Sequence, residues 1–228
     1  MKRSFALLLL GSMLVASCNS ATPTAIAEPI TVQYTAGAVP WLAALYGCAG
    51  TDVVNAEQRT GDYLDPQSVD LVLRVGEPAN LNIPSYKIGN EDILVIVNRQ
   101  NPINHLTAEE VHGLFSGSIQ TWKDINGSNS PVQVWSFFAG EDIQEIFEQT
   151  AMNGSPITST ARLASGPDEM SQAIANDVNA VGILSRHWKM GNVSDVYTVT
   201  NVPVLAISST EPQGEVLNIL ACLQSEMP

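Results

Sequence analysis

One stretch near the middle of the chain, residues 92–126, constrains the fold more than any other. It begins with an apolar run from Ile93 to Val97, short and rich in β-branched residues, which predicts a strand buried on both faces. Polar residues and Pro102 end that pattern. A helix follows, because Thr107 and Glu110 form a capping-box pair ahead of an apolar stripe. A buried strand that runs into a polar segment indicates a passage between two α/β lobes.

The same stretch resembles the hinge region of the solute-binding proteins of ABC transporters, above all the phosphate-binding-like branch. In that family a hydrophobic strand precedes Asn-x-x-Asn-Pro, a Leu-Thr-x-Glu-Glu helix, Phe-x-Gly and Trp-x-Asp-Ile. A late segment, Ala180 to Leu184, resembles the family's Ala-Ile-Gly-Tyr-x-Ser strand. The matching residues of the hinge are Asn98, Asn101 and Pro102, the run 106–110, Phe115 with Gly117, and the run 122–125.

The resemblance covers nearly the whole chain after the N-terminal segment. It implies a two-lobed α/β fold of the type II periplasmic-binding-protein class, with a ligand cleft between the lobes. The implied division is a first lobe at 30–97, a second lobe at 98–195 and a return segment of the first lobe at 196–228. The implied activity is not enzymatic. A monomer would capture a small polar solute and deliver it to an ABC permease in the membrane. The rival function is a ligand-free or signalling interaction module of the same fold on the cell surface.

The acidic composition excludes two classes of partner. The chain has 228 residues and a formal net charge of −13, which argues against nucleic acid and against an anionic membrane surface. No cofactor is expected. His105, Glu109 and His112 have a helical spacing that could hold a metal, but polar residues on the outer face of an amphipathic helix explain them equally well, and we expect no metal site.

The first 18 residues predict a targeting segment. After a positively charged start, residues 5–15 form an apolar region too short to be a convincing membrane span. The run 15–18, Val-Ala-Ser-Cys, resembles a bacterial lipobox in which Cys18 carries the lipid after cleavage. The alternative is an ordinary signal peptide in which Cys18 is incidental. Residues 19–29 form a Thr/Ala/Pro tether, so we expect a lipoprotein outside the cytoplasm, anchored to the bacterial cell membrane.

Two further cysteines are expected to form a disulfide. An exported protein lies where disulfides persist, and two thiols are an even number. Cys48 follows the first predicted helix and Cys222 lies in the last, and the implied topology places both helices in the first lobe. The alternative is two buried thiols.

Two loops of the first lobe are expected to face the cleft. Thr35, Ala36 and Gly37 join a strand to a helix N-terminus, where free backbone N–H groups can bind a ligand, or they are simply a turn that starts a helix. Arg74 ends an apolar strand. Its guanidinium suits a carboxylate or oxyanion ligand, with an ion pair to Glu77 or another acid as the alternative.

The third loop departs from the family pattern. Phosphate-type relatives carry an arginine and then Gly-Ser-Gly-Thr at a helix start, whereas here no arginine precedes Gly140, and Glu141, Asp142 and Ile143 follow it. Two acids suit the helix dipole but would repel a phosphate. We therefore expect no tight phosphate binding and a zwitterionic, cationic or neutral ligand. The alternative is that both acids turn outward while their N–H groups hold an anion.

The fourth loop is Ser165-Gly166, just before Pro167. A serine there is a preferred helix N-cap, which competes with ligand binding as its role. Trp135, Phe137 or Phe138, before the third loop, could form an aromatic wall of the cleft. The complete set of candidate ligand residues is Thr35, Ala36, Gly37, Arg74, Ser136, Gly140, Glu141, Asp142 and Ser165.

Overall fold

The computed structural model describes residues 28–79 and 81–225. Cys18 and the expected targeting segment lie outside the described residues. The strands are β1 (Ile30–Tyr34), β2 (Val54–Gln58), β3 (Leu71–Val75), β4 (Ser85–Asn98), β5 (Gln133–Phe137), β6 (Arg162–Ala164), β7 (Ala180–Ser185) and β8 (Val193–Ile207). The helices are α1 (Leu42–Ala49), α2 (Ala108–Ser116), α3 (Asp142–Thr150), α4 (Pro167–Asn176) and α5 (Gly214–Ser225).

Two long strands run through both halves of the fold. β4 has 14 residues and β8 has 15, and they pair antiparallel along their length. β3 pairs with the C-terminal end of β8, whereas β7 pairs with the C-terminal half of β4. The eight strands lie in the order β2-β1-β3-β8-β4-β7-β5-β6. One half, built on β1 to β3, and the other, built on β5 to β7, therefore share β4 and β8, as two lobes joined by crossing strands require.

The continuity of β4 differs from the sequence-based expectation. The apolar run predicted a strand at 93–97, but the strand begins at Ser85 and includes the polar residues before Ile93. The ladder with β8 continues through Asn90 and Glu91, and shifts of register, one of them between Lys87 and Gly89, absorb the irregularity. Backbone pairing along β8 thus outweighs the local polarity.

Local signals predicted the helix after the hinge. Thr107 caps α2, because its hydroxyl accepts the Glu110 N–H at 3.2 Å and the Glu110 carboxylate accepts the Thr107 N–H at 2.8 Å. Gly117, with φ of 80°, ends the helix in the left-handed region. The apolar face of α2 is buried, and Phe115 packs against Phe147 of α3 with ring centroids 4.5 Å apart.

The core follows the apolar runs of the sequence. All five residues of β3 and all five from Ile93 to Val97 are buried. Each fully buried Val, Leu or Ile side chain stabilises the fold by about 1.5–3 kcal/mol before entropy is counted. Among the helices of the described residues, none is long and apolar enough to cross a membrane.

A disulfide joins the first and last helices. Cys48 of α1 and Cys222 of α5 are bonded, with their Cα atoms 5.7 Å apart and a sequence separation of 174. α1 and α5 pack against each other, so the bond closes the first half of the fold around a chain segment that contains all of the second half.

Breaking this bond should lower stability without changing the fold. Replacing Cys48 with Ser should reduce the free energy of unfolding by about 2–5 kcal/mol, because the unfolded chain regains the freedom of a long loop. Equilibrium unfolding in urea measures this loss of free energy. Cys222→Ser and the double variant should show the same loss. A double variant much less stable than either single one would contradict a shared bond as the cause.

Candidate functional site

Three segments that are distant in sequence meet at one buried carboxylate. Asp142, the first residue of α3, has an exposed fraction of 0%. Its Oδ2 accepts hydrogen bonds from the Thr35 hydroxyl and from the Val75 N–H, the latter at 2.9 Å. Its Oδ1 accepts the N–H of Ile143 at 2.8 Å. Thr35 and Val75 belong to the first half and α3 to the second, so the carboxylate bridges the cleft.

Strand pairing explains why these donors converge. β1 and β3 are parallel neighbours, so Thr35, just after β1, and Val75, at the end of β3, lie at the same edge of the sheet. Gly37 leaves room for the approaching helix, because a Cβ there would lie 2.8 Å from Asp142 Oδ1. The first loop is thus shaped around this carboxylate.

A second contact crosses the cleft beside the first. The Gly61 N–H donates to the carbonyl oxygen of Gly140 at 2.6 Å. Gly140 has φ of 87°, and a Cβ there would also meet the Asp62 carboxylate at 2.8 Å. The sequence reasoning missed Gly61 and Asp62. They lie in the loop beyond the carboxyl end of β2, which spans Val54–Gln58 and was not among the loops expected to face the cleft.

Arg74 is buried but only weakly paired. Its side chain is 7% exposed, and its terminal nitrogen lies 3.5 Å from a carboxylate oxygen of Glu145 on α3. The partner suggested by the sequence, Glu77, is not the one that it contacts in the described structure. Its Nε is buried without a hydrogen-bond partner. A buried donor left unpaired is costly, which marks Arg74 as a group with capacity to bind something more.

A cavity of about 410 Å³ lies beside Arg74. The first half contributes Asp62 and Glu77 to its wall, and α3 contributes Glu145 and Glu148. One arginine and four acidic residues thus line this cavity, and a bound cation would interact favourably with the excess of negative charge.

A second cavity, of about 440 Å³, brings Ala36 together with Ser165. Ser165 is not the N-cap of α4. Gly166 holds that position without a side-chain cap, and the N–H and hydroxyl of Ser165 donate to Glu169 at 2.7 and 2.6 Å. Because the Ser165 hydroxyl is bonded to the exposed carboxylate of Glu169, it does not cap the N-terminus of α4. Ser165 and Arg74 thus line different cavities.

The segment before the third loop is mostly committed to packing. Ser136 is buried within β5, and Phe137 lies in the hydrophobic core. Trp135 packs against the guanidinium of Arg162, which lies 5.8 Å from its ring centroid. Phe138 remains 47% exposed. The expected aromatic wall is therefore reduced to Phe138 at most.

The model of a known protein family matches this chain. The PBP superfamily domain covers residues 81–225, more than half of the chain. The chain belongs to the PBP superfamily. That family consists of solute-binding proteins and is not a class of enzymes. The match includes β4, β8 and the third loop, the elements that form and bridge the cleft.

Solved structures share the fold of this PBP-superfamily chain. A putative phosphate ABC transporter substrate-binding protein with bound phosphate, from Clostridium perfringens, has 16% identity and a TM-score of 0.79, with 87% of this chain and 94% of that chain covered. An ABC-type phosphate transport receptor from Vibrio cholerae has 18% identity and a TM-score of 0.69, with 86% and 94% covered. The CcmR regulatory domain from Synechocystis, in complex with 2-PG, has 11% identity and a TM-score of 0.65, with 88% and 99% covered.

The acids of the third loop titrate abnormally in this PBP-superfamily cleft. Burial raises the pKa of Asp142, while the Thr35 and Val75 hydrogen bonds and the charge of Arg74 oppose that shift. Burial, and then the charge of Asp142, raise the pKa of Glu141 from 4.5 to about 7. The folded protein thus holds these protons more tightly than the unfolded chain. The two protonated acids therefore stabilise the folded protein fully when the pH is below their pKa in the unfolded chain. This stabilisation is lost as the pH rises through their pKa in the folded protein.

Glu141→Gln should remove part of that pH dependence. Glutamine keeps the shape but has no charge to bury. The variant should therefore match the wild type near pH 4.5 and exceed its melting temperature at pH 8 by about 2–4 °C, the shift expected for 1 kcal/mol in a chain of this size. Thermal unfolding from pH 4.5 to 8 measures it.

Glu109→Gln is the matched control, because Glu109 is an exposed acid in the first turn of α2. Its difference from the wild type should stay constant across the same range. If the difference in melting temperature between Glu141→Gln and the wild type were also constant with pH, Glu141 would not be a source of the pH dependence of stability.

Proposed function

We propose that this protein is an extracytoplasmic solute-binding lipoprotein of an ABC-type, phosphate-like uptake system. It binds a small polar solute between its lobes. The observation that carries the proposal is the convergence of donors from β1, β3 and α3 at one point between the two halves. Membership of the PBP superfamily supports it, as do the Clostridium perfringens and Vibrio cholerae structures, whose descriptions name phosphate transport.

The proposed partners follow from that role. A monomer delivers its solute to an ABC permease and is held at the membrane by lipid on Cys18; it has no nucleic-acid partner and catalyses no reaction. The proposed lobes are 30–97 with 196–228, and 98–195. Solute exchange requires the two halves to separate about β4 and β8, the strands that they share.

The solute is proposed to be zwitterionic or cationic. Within the described residues, Arg74, whose buried Nε has no hydrogen-bond partner, lines a cavity together with four acidic residues. A carboxylate on the solute would pair with Arg74, and an ammonium group would lie between the acids of the two halves. A phosphate dianion would instead meet those acids and the nearby carboxylate of Asp142.

Calorimetry with a small panel tests this solute class. L-lysine and L-arginine carry both groups, putrescine carries only ammonium, and inorganic phosphate carries neither. We expect an amino acid to bind, and Arg74→Ala to weaken it at least tenfold, about 1.4 kcal/mol, because the partner of its carboxylate is lost. Putrescine should be less sensitive to that substitution.

Arg162→Ala is the control for removing a positive charge, since Arg162 is an exposed residue of β6 that lies over Trp135 and does not line the cavity beside Arg74. It should leave the affinity for the amino acid unchanged. Micromolar or tighter binding of phosphate, weakened by Arg74→Ala, would show that the solute class is wrong and that the third loop still accepts an oxyanion.

A second function, an interaction module without a solute, is favoured by one observation. The contacts of Asp142 and of Gly140 join the two halves across the cleft through groups of the chain itself. Such a protein would present one fixed surface to a partner. A wide thermal-shift panel of anions, amino acids and sugars separates the two functions, since a tight solute raises the melting temperature and a module responds to none.

The lipid anchor is tested at Cys18. Replacing Cys18 with Ser removes the only thiol that the lipobox offers for acylation, so the protein should leave the membrane fraction or keep its uncleaved leader. Fractionation and mass spectrometry of the N-terminus measure this. Cys48→Ser should stay membrane-attached. A Cys18→Ser protein that stays attached with a normally processed N-terminus would contradict lipidation at Cys18, and a wild-type N-terminus without lipid would favour an ordinary signal peptide.

A further inference from the structure

The hydrogen-bond donors around the carboxylate of Asp142 form an arrangement that could also bind a free anion. Its acceptors are filled by a hydroxyl and two backbone N–H groups that come from three separate segments. Converging neutral donors at a helix start are what small oxyanions bind in proteins. The guanidinium of Arg74 adds a positive charge close enough to oppose the rise that burial causes in the pKa of Asp142. These groups would suit an external oxyanion equally well.

Two glycines allow the halves to approach closely around this carboxylate. Gly37 has no side chain at the point where a Cβ would lie 2.8 Å from Asp142 Oδ1. Gly76 faces Ile146 of α3 with the same lack of room, since a Cβ there would lie 2.8 Å from its Cδ1. The two halves therefore touch on both sides of the carboxylate. A free anion and the Asp142 side chain cannot occupy this position together.

We propose that Asp142 is a built-in ligand: its carboxylate fills an oxyanion-binding position between the lobes, excludes phosphate and sulfate from it, and holds the cleft closed. The position is a latent oxyanion site, complete except that one of its own side chains occupies it. The inference does not depend on the solute proposed above, which lies in the neighbouring cavity beside Arg74, and it applies equally to an interaction module.

The decisive experiment removes the carboxylate and adds the free ion. Asp142→Gly leaves the Thr35 hydroxyl, the two N–H groups and Arg74 in place, with room for a tetrahedral anion. In buffer free of both ions, calorimetry should detect inorganic phosphate or sulfate binding to Asp142→Gly at least about a hundredfold more tightly than to the wild type. Adding Thr35→Val to Asp142→Gly should weaken that binding.

Asp168→Gly is the matched control, because Asp168 is also an acid in the first turn of a helix but is exposed. It should gain no anion binding. A folded Asp142→Gly protein that binds neither ion, or a wild type that binds phosphate as tightly as the variant, would overturn the proposal. Circular dichroism and the intact Cys48–Cys222 bond report folding.

If Asp142→Gly fails to fold, a comparison of Asp142→Asn with the wild type tests the proposal instead. The asparagine has the same shape but no charge. Its amide nitrogen donates instead of accepting, so one of the hydrogen bonds made to the carboxylate cannot form. Small-angle X-ray scattering should show the wild type closed without ligand and unchanged by phosphate, and Asp142→Asn more extended. A wild type that is extended alone and becomes compact with phosphate would overturn the proposal.

Discussion

The structure depends on the satisfaction of one buried charge. A carboxylate removed from water is costly unless hydrogen bonds replace its hydration. Asp142 meets that condition only when the loops after β1 and β3 are brought against α3, because its donors are Thr35, Val75 and Ile143. Separating the halves would leave Asp142 exposed to water but would break two of those bonds. The closed cleft and the position of α3 are thus consequences of the same interaction.

The shared strands supply the frame on which that interaction acts. β4 and β8 pair along their length, so the two halves cannot drift apart as separate bodies. Polar groups cluster at the middle of this frame, where the buried carboxylate of Glu91 lies 2.7 Å from His187 Nδ1 and Asp92 lies 2.7 Å from the Nε of Arg186. They explain the polar interruption in the β4 sequence, which serves side-chain pairing rather than ending the strand.

Much of the fold could be predicted from sequence because its signals are local. The capping box at Thr107, the start of α4 at Pro167 and the apolar run before Asn98 each depend on a few adjacent residues. The site could be predicted only in outline. Which way Asp142 points is decided by donors 107 and 67 residues away, and no local pattern records that choice. Gly61 and Asp62 were missed for the same reason, since their importance arises only where they meet Gly140.

The disulfide has a consequence for the order in which the two halves of the protein can fold. Cys48 lies in the first helix and Cys222 in the last, and the whole second half of the fold lies between them. A chain synthesised from its N-terminus therefore delivers one thiol early and its partner only at the end. β8, which pairs with β3 and β4, also arrives late. The second half can pack β5, β6 and α4 while the first half still lacks its central strand, so the lobe that begins the chain is the last to be finished.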